Sequence, residues 1–176
     1  AFSLTPFFPP LCGSLLEMNS VRSRLAPMLL ASAIGISIAV SVPRAREAVA
    51  RSKPYDLYAK ASTWLLENTS PGERVFQTDW DDFPRLFFYN THNTYLIGLD
   101  PTYMQLYDPA LYADWVAITR GEVENPSRLI ADKFGSSLVH TDLNHGSFLR
   151  IAEKDPGLLE VYRDDQAVLF RVIPQP

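Results

Sequence analysis

The chain divides by its pattern of apolar and polar positions before any motif is considered. Leu25 to Val42 (LAPMLLASAIGISIAVSV) runs for eighteen residues without a charged side chain, whereas the remainder alternates charged and apolar groups as a folded domain does. Eighteen residues at about 1.5 Å rise make roughly 27 Å of helix, close to the roughly 30 Å hydrocarbon core of a bilayer. The run therefore reads as a transmembrane helix. Three serines, Gly35 and Pro27 make it only moderately apolar, so a buried helix of a soluble core is the competing reading.

After a linker over 43–54 the period changes, and 55–176 reads as one soluble α/β domain of sufficient length for its own core. Tyr55 to Asn68 places Leu57, Ala61, Trp64 and Leu65 on one helical face, and Thr69-Ser70-Pro71-Gly72 ends it. Arg74 to Thr78 predicts a strand. Phe83 to Tyr89 predicts a helix with an aspartate as N-cap and Pro84 in its first turn. Thr94 to Leu99 predicts a second strand, followed by a looser, aromatic-rich stretch from Thr102 to Ala117. Pro126 to Phe134 then predicts a helix stopped by Gly135, Ser136 to His140 a third strand, and Ser147 to Lys154 a helix. Leu158 to Arg163 and Ala167 to Ile173 close the chain as a hairpin. Strands alternating with helices before a final hairpin predict an α/β sandwich with a mixed, partly parallel sheet.

Basic residues flank the apolar run, Arg22 and Arg24 before it and Arg44, Arg46, Arg51 and Lys53 after it. A secretory signal has a shorter apolar region and a small-residue cleavage site, neither of which fits here. Residues 1–24 form an apolar leader broken by Pro6, Pro9 and Pro10, with no charge before Glu17. It reads as the end of a preceding membrane region, with the chain as the carboxyl-terminal piece of a longer polytopic protein. A processed or truncated soluble protein would equally begin with Ala1. The count of basic residues, four against two, puts the side after Val42 in the cytoplasm.

A net charge of −4 with no basic stripe argues against nucleic acid as a partner. The single cysteine, Cys12, rules out an internal disulfide and a cysteine-based zinc site. No repeat and no low-complexity tract interrupts the sequence. Nucleophile-elbow, phosphate-loop and His-Glu-x-x-His motifs are missing as well, so the standard hydrolase, nucleotide and metalloprotease signatures do not apply.

Candidate chemistry collects where predicted strands end. Asp79, Asp81 and Asp82 follow the first strand with Trp80 among them, Asp100 follows the second with Tyr103 nearby, and Asp142 and His145 follow the third. In an open parallel sheet such ends share one edge, and ligands bind in the crevice outside it. Carboxylates gathered there could hold a divalent cation, or one could serve as a general base beside His145. Against this stands the preference of aspartate for helix caps, which would occupy the same positions for structural reasons. His140 and His145 around Asp142 resemble a fragment of a zinc site, but no third and fourth ligand stands at a recognisable spacing. The aromatics between Trp80 and Trp115 read as core, with a carbohydrate-stacking wall or a surface on lipid headgroups as alternatives. Asn68-Thr69-Ser70 fits the glycosylation acceptor triplet, a pattern that arises often by chance.

Three segments carry a resemblance: Trp64-Leu65-Leu66-Glu67-Asn68-Thr69-Ser70-Pro71-Gly72-Glu73-Arg74-Val75-Phe76, then Asp79-Trp80-Asp81-Asp82-Phe83-Pro84, then Gly98-Leu99-Asp100-Pro101. With the apolar run they resemble the last membrane helix and carboxyl-terminal extracytoplasmic domain of polytopic bacterial glycosyltransferases of the GT-C type, over roughly Leu25 to Ile173. The resemblance implies a domain on the outer face of the cell membrane, against the count of basic residues. It implies as partners the lipid bilayer, an upstream membrane domain of the same protein, and a polyprenyl-phosphate sugar or glycan acceptor. It also implies that the catalytic aspartate of such an enzyme lies outside this sequence, leaving an accessory domain with no catalytic residue and no required cofactor. A membrane-anchored module that binds glycan or protein without chemistry is the alternative.

Overall fold

The computed structural model describes residues 21–173, with side chains from residue 25 onward. Most of the apolar leader 1–24, Cys12 included, lies outside the described residues. The chain forms two compact units, Ala1–Lys53 and Pro54–Pro176.

In the first unit, α1 (Val21–Ala50) is a helix of 30 residues, about 45 Å long at 1.5 Å per residue. Its segment Leu25–Ala50 is long and apolar enough to cross a membrane. Leu29, Leu30, Ile36 and Ile38 are all exposed along it, whereas the apolar face of a soluble core helix is covered by the core. The helix does not stop at Val42. Pro43 removes one backbone N–H, yet Arg44 to Ala50 (RAREAVA) is rich in good helix formers, and an i,i+4 pair between Glu47 and Arg51 closes the end at 2.5 Å. Most of the expected linker is therefore helical.

The second unit orders its elements as α2 (Ala59–Asn68), β1 (Arg74–Gln77), α3 (Phe83–Tyr89), β2 (Thr94–Tyr95), α4 (Thr102–Tyr107), α5 (Pro109–Thr119), α6 (Pro126–Asp132), β3 (Leu138–Asp142), α7 (Gly146–Ala152), β4 (Leu158–Arg163) and β5 (Ala167–Val172). The sheet order is β2-β1-β3-β5-β4. β1 pairs in parallel with β2 and β3, and β5 runs antiparallel between β3 and β4. This is the mixed, partly parallel α/β sheet that the alternation of elements predicted.

The two-residue period of the strands sorts the core onto two faces. Phe76, Val139, Val168 and Phe170 pack with Trp115 and Ile118 of α5, Ile130 of α6 and Phe148 of α7. Their neighbours Val75, Leu138, Ala167 and Leu169 face the other way, onto Ala61 and Leu65 of α2 and Leu86 of α3.

Several boundaries move for identifiable reasons. The first predicted helix begins at Ala59 instead of Tyr55, because Tyr58 takes a left-handed conformation at φ 67°. β2 ends at Tyr95 instead of Leu99. One more ladder bond forms, from the Leu96 N–H to the Val75 carbonyl, and then the Gln77 side chain takes over. Its amide donates to the Ile97 carbonyl at 3.1 Å and accepts from the Ile97 N–H at 3.2 Å. The looser stretch resolves into two helices divided at Asp108, whose carboxylate accepts from the N–H groups of Ala110 and Leu111 to cap α5.

Candidate functional site

The connections that leave the carboxyl ends of β1 and β3 diverge. β1 leads into α3, whose Leu86 belongs to one face, and β3 leads into α7, whose Phe148 belongs to the other. The two strands are adjacent and parallel, with Gln77 opposite His140, so their carboxyl ends form the crevice of a topological switch point, where open α/β sheets bind ligands. At its floor the Thr78 N–H donates to the His140 carbonyl at 3.2 Å, and the Thr78 hydroxyl donates to that of Thr141 at 2.8 Å.

Asp79, Trp80, Asp81 and Asp82 leave one side of this crevice and Asp142 and His145 the other. The tertiary structure brings the carboxylates together. Asp79 is pushed above the usual carboxylate range by burial and then by the charges of Asp81 and Asp142. Asp82 is pushed up to about 7, first by burial and then by Asp142, Asp79 and Asp81, although Tyr58 opposes the shift. Trp80 is half exposed beside them.

Asp142 and His145 form a dyad. His145 Nδ1 lies 2.6 Å from Asp142 Oδ1, and the same carboxylate accepts from the Asn144 and His145 N–H groups and from the Asn144 side chain. Burial alone would raise the Asp142 carboxyl, but the bonds from His145 and Asn144 and the charge of His145 outweigh it and hold the group far below its ordinary value. The bond to Asp142 conversely raises His145, against burial, with help from the charges of Asp142, Asp79 and Asp82.

Asp82 departs from the capping expectation. It precedes α3 but has helical backbone angles and makes no side-chain cap bond. Its carboxylate instead turns inward, fully buried, and neither oxygen has a partner at ordinary hydrogen-bond distance, the Tyr58 side chain being the near group that favours its charged form. His140 Nδ1 lies 3.8 Å away in a side chain that is equally buried and whose two ring nitrogens also lack partners. Burial pushes His140 down to about 4. With the carboxyl raised to about 7 and the imidazole lowered to about 4, the two meet between those values as an uncharged acid and a neutral ring, the inexpensive way to bury them. The ring of Tyr58 stands edge-on to His140 at 4.7 Å. Its strained backbone is held by a 2.8 Å bond from its N–H to Gln166 Oε1, and burial followed by the Asp82 charge raises its phenol above the ordinary range.

Two predicted site residues stand apart. Asp100 makes only local bonds before α4, whose cap position is Pro101: its carboxylate accepts from the Thr102 N–H at 2.8 Å, and the Thr102 side chain first and that N–H second lower its pKa. Tyr103 is exposed on α4. Sequence reading missed His140 and Tyr58 as partners of the cluster. His140 carried a usable signal, since it shares a strand face with Asp142 two residues on. Tyr58 carried none, because its position depends on a turn that the apolar pattern placed inside a helix.

Among the described residues, no group of three or more His, Cys, Asp or Glu side chains is placed to hold a metal ion. The divalent-cation and zinc-fragment expectations thus find no ligand set there, and Asp142 and His145 satisfy each other. The aromatics expected in the core divide. Trp115 is buried and donates its indole N–H to the Gln77 carbonyl at 3.0 Å, whereas Phe87, Phe88, Tyr103 and Tyr107 are exposed.

The fold and site define a mixed α/β domain with acidic residues gathered at a switch point, carried on a chain that has, among the described residues, one helix of membrane-crossing length. No protein-family model matches the chain, and neither does any curated protein or solved structure.

Proposed function

We propose that this chain is a membrane-tethered, sugar-binding domain, the non-catalytic carboxyl-terminal part of a GT-C type glycosyltransferase acting on lipid-linked sugars, with its α/β domain on the extracytoplasmic side. The observation that carries the binding role is the convergence of Asp79, Asp81, Asp142 and His145 at the carboxyl ends of β1 and β3, around the fully buried Asp82. Carboxylates and an imidazole are the groups that accept from and donate to sugar hydroxyls, and the half-exposed Trp80 supplies an apolar ring face beside them. The apolar α1 and the three segments quoted above support the membrane and glycosyltransferase parts of the reading.

The test uses the full chain in lipid nanodiscs. Calorimetric titration compares a polyprenyl-phosphate hexose, the free hexose, and polyprenyl phosphate alone. Saturable binding of the two sugar-bearing ligands, weakened tenfold or more in Asp79→Asn with unchanged melting temperature, is the expected result, as about 1.4 kcal/mol of lost interaction would give. Binding of polyprenyl phosphate alone, or of none of the three, overturns it. The exposed Tyr103, Leu106 and Tyr107 of α4 favour a second reading, an assembly module that binds a protein partner without chemistry.

A further inference from the structure

The domain enters from its tether beside an exposed aromatic ridge. Tyr89, the last residue of α3, donates its hydroxyl to the Tyr55 carbonyl at 2.8 Å. This bond fixes the end of α3 to the second residue of the unit. Tyr55 is 91% exposed and Phe88 is 78% exposed, with the Phe88 ring edge-on to Tyr89 at 5.0 Å. Phe87 continues the ridge and stacks on Phe83 at 5.3 Å, and Phe83 lies against Gly98, next to the exposed Leu99. Exposed Phe and Leu in one row leave apolar area in water that a monomeric soluble domain normally covers.

We propose that this ridge, Tyr55 with Phe87, Phe88 and Leu99, rests in the interfacial layer of the bilayer that α1 crosses; the inference relies on the membrane reading of α1. Three arguments select lipid as the occupant. Only Arg51, Ser52 and Lys53 separate the end of α1 from the second unit, so the tether confines Tyr55 to the neighbourhood of the membrane surface. The segment between the apolar run and the domain carries Arg44, Arg46, Arg51 and Lys53, with Glu47 pairing Arg51, and such cations bond the phosphates of lipid headgroups. The ridge itself consists of Tyr, Phe and Leu, the side chains that suit the boundary between headgroups and acyl chains. Its consequence is orientation: a domain held at two points, by its tether and by the ridge, cannot swivel freely above the surface.

The test is spin-label accessibility of the full chain in nanodiscs of phosphatidylcholine and phosphatidylglycerol. With Cys12→Ser as background, single labels are placed by Ile36→Cys in α1, Phe88→Cys on the ridge, and Arg128→Cys on exposed α6, which packs on the opposite face of the sheet. The expected result is that labels at 36 and 88 are both several-fold more protected from a water-soluble nickel complex than the label at 128, and more accessible to oxygen. A buried label at 36 with a label at 88 as nickel-accessible as that at 128 overturns the ridge while leaving the membrane reading intact. A water-exposed label at 36 overturns the membrane reading itself. A label at 88 shielded from both reagents, with spin–spin broadening, shows a second copy of the chain on the ridge and overturns lipid as its occupant.

Discussion

His145 and Asp142 hold each other: the imidazole Nδ1 and carboxylate Oδ1 are 2.6 Å apart, across a turn that the same carboxylate closes by accepting from two backbone N–H groups. The bond lowers one pKa and raises the other, so the dyad contributes to stability over a bounded pH range. The raised His145 contributes fully below its ordinary 6.5 and loses that contribution as pH rises through its higher folded value. The depressed Asp142 contributes above its ordinary 3.8 and loses that contribution as pH falls through its lower folded value.

Asp142→Asn therefore destabilises most at about pH 5, between those limits, and least well above the His145 titration. Asparagine keeps the acceptor that closes the turn, so the difference isolates the charge. In proton NMR titrations the His145 midpoint, above 6.5 in the wild type, falls in the variant. A midpoint that does not move would show that the dyad is not formed.

Asp82→Asn behaves oppositely. An acid raised from 3.8 to about 7 favours the fold while it stays protonated in both states. It withdraws that support as pH climbs from 3.8 through 7 and the unfolded carboxyl ionises first. Removing it raises the melting temperature at about pH 8 by more than at about pH 4, an effect on the order of a few kcal/mol. Thermal melts of the two proteins across that range decide it, and an Asp82→Asn protein that is less stable at alkaline pH contradicts the prediction.

His140 sets the acid limit. Its pKa is lowered to about 4 by burial, with His145 acting in the same direction and Asp142 and Asp164 against it. The unfolded ring binds its proton first, so the contribution of His140 drops as pH falls from about 6.5 towards 4, against the opposite trend of Asp82 over the same range. His140→Leu removes the first trend and leaves the second, so stability rises more steeply towards pH 4 in the variant than in the wild type, and chemical denaturation at a series of pH values reads it out. An unchanged acid slope would place the loss elsewhere.

Gly121 ends the turn after α5 at φ +70°, and a Cβ built there would lie 2.5 Å from the Ser147 carbonyl oxygen. Gly121→Ala loses roughly 1–2 kcal/mol to the left-handed conformation alone, and the clash with rigid backbone at the start of α7 adds to it. Urea unfolding should show a lower midpoint with an unchanged slope.

Asp155 holds α6 to the turn before β4. Its carboxylate accepts from the Ser127 N–H at 2.7 Å, the Ser127 hydroxyl at 2.8 Å and the Gly157 N–H at 2.8 Å, all buried. Asp155→Ala strands these donors and costs about 2–5 kcal/mol. Amide exchange at Ser127 and Gly157 should accelerate along with the loss of global stability.

The sequence by itself determined the elements whose signals are local. The uncharged run Leu25 to Val42 announced a helix, turn residues set the spacing of the strands, and strands alternating with helices before a final hairpin predicted a mixed, partly parallel sheet. Aspartate clusters at strand ends marked the edge where the crevice lies. What each aspartate does was not legible there, because a cap and a buried carboxylate occupy the same sequence position. The folded chain held Asp100 to the Thr102 N–H, locked Asp142 to His145, and turned Asp82 inward beside His140. It also shortened β2 through the Gln77 side chain and brought Tyr58 over the buried ring. Those outcomes depend on which strands are neighbours, and neighbours in this sheet, β1 with β3 and β3 with β5, are far apart in sequence.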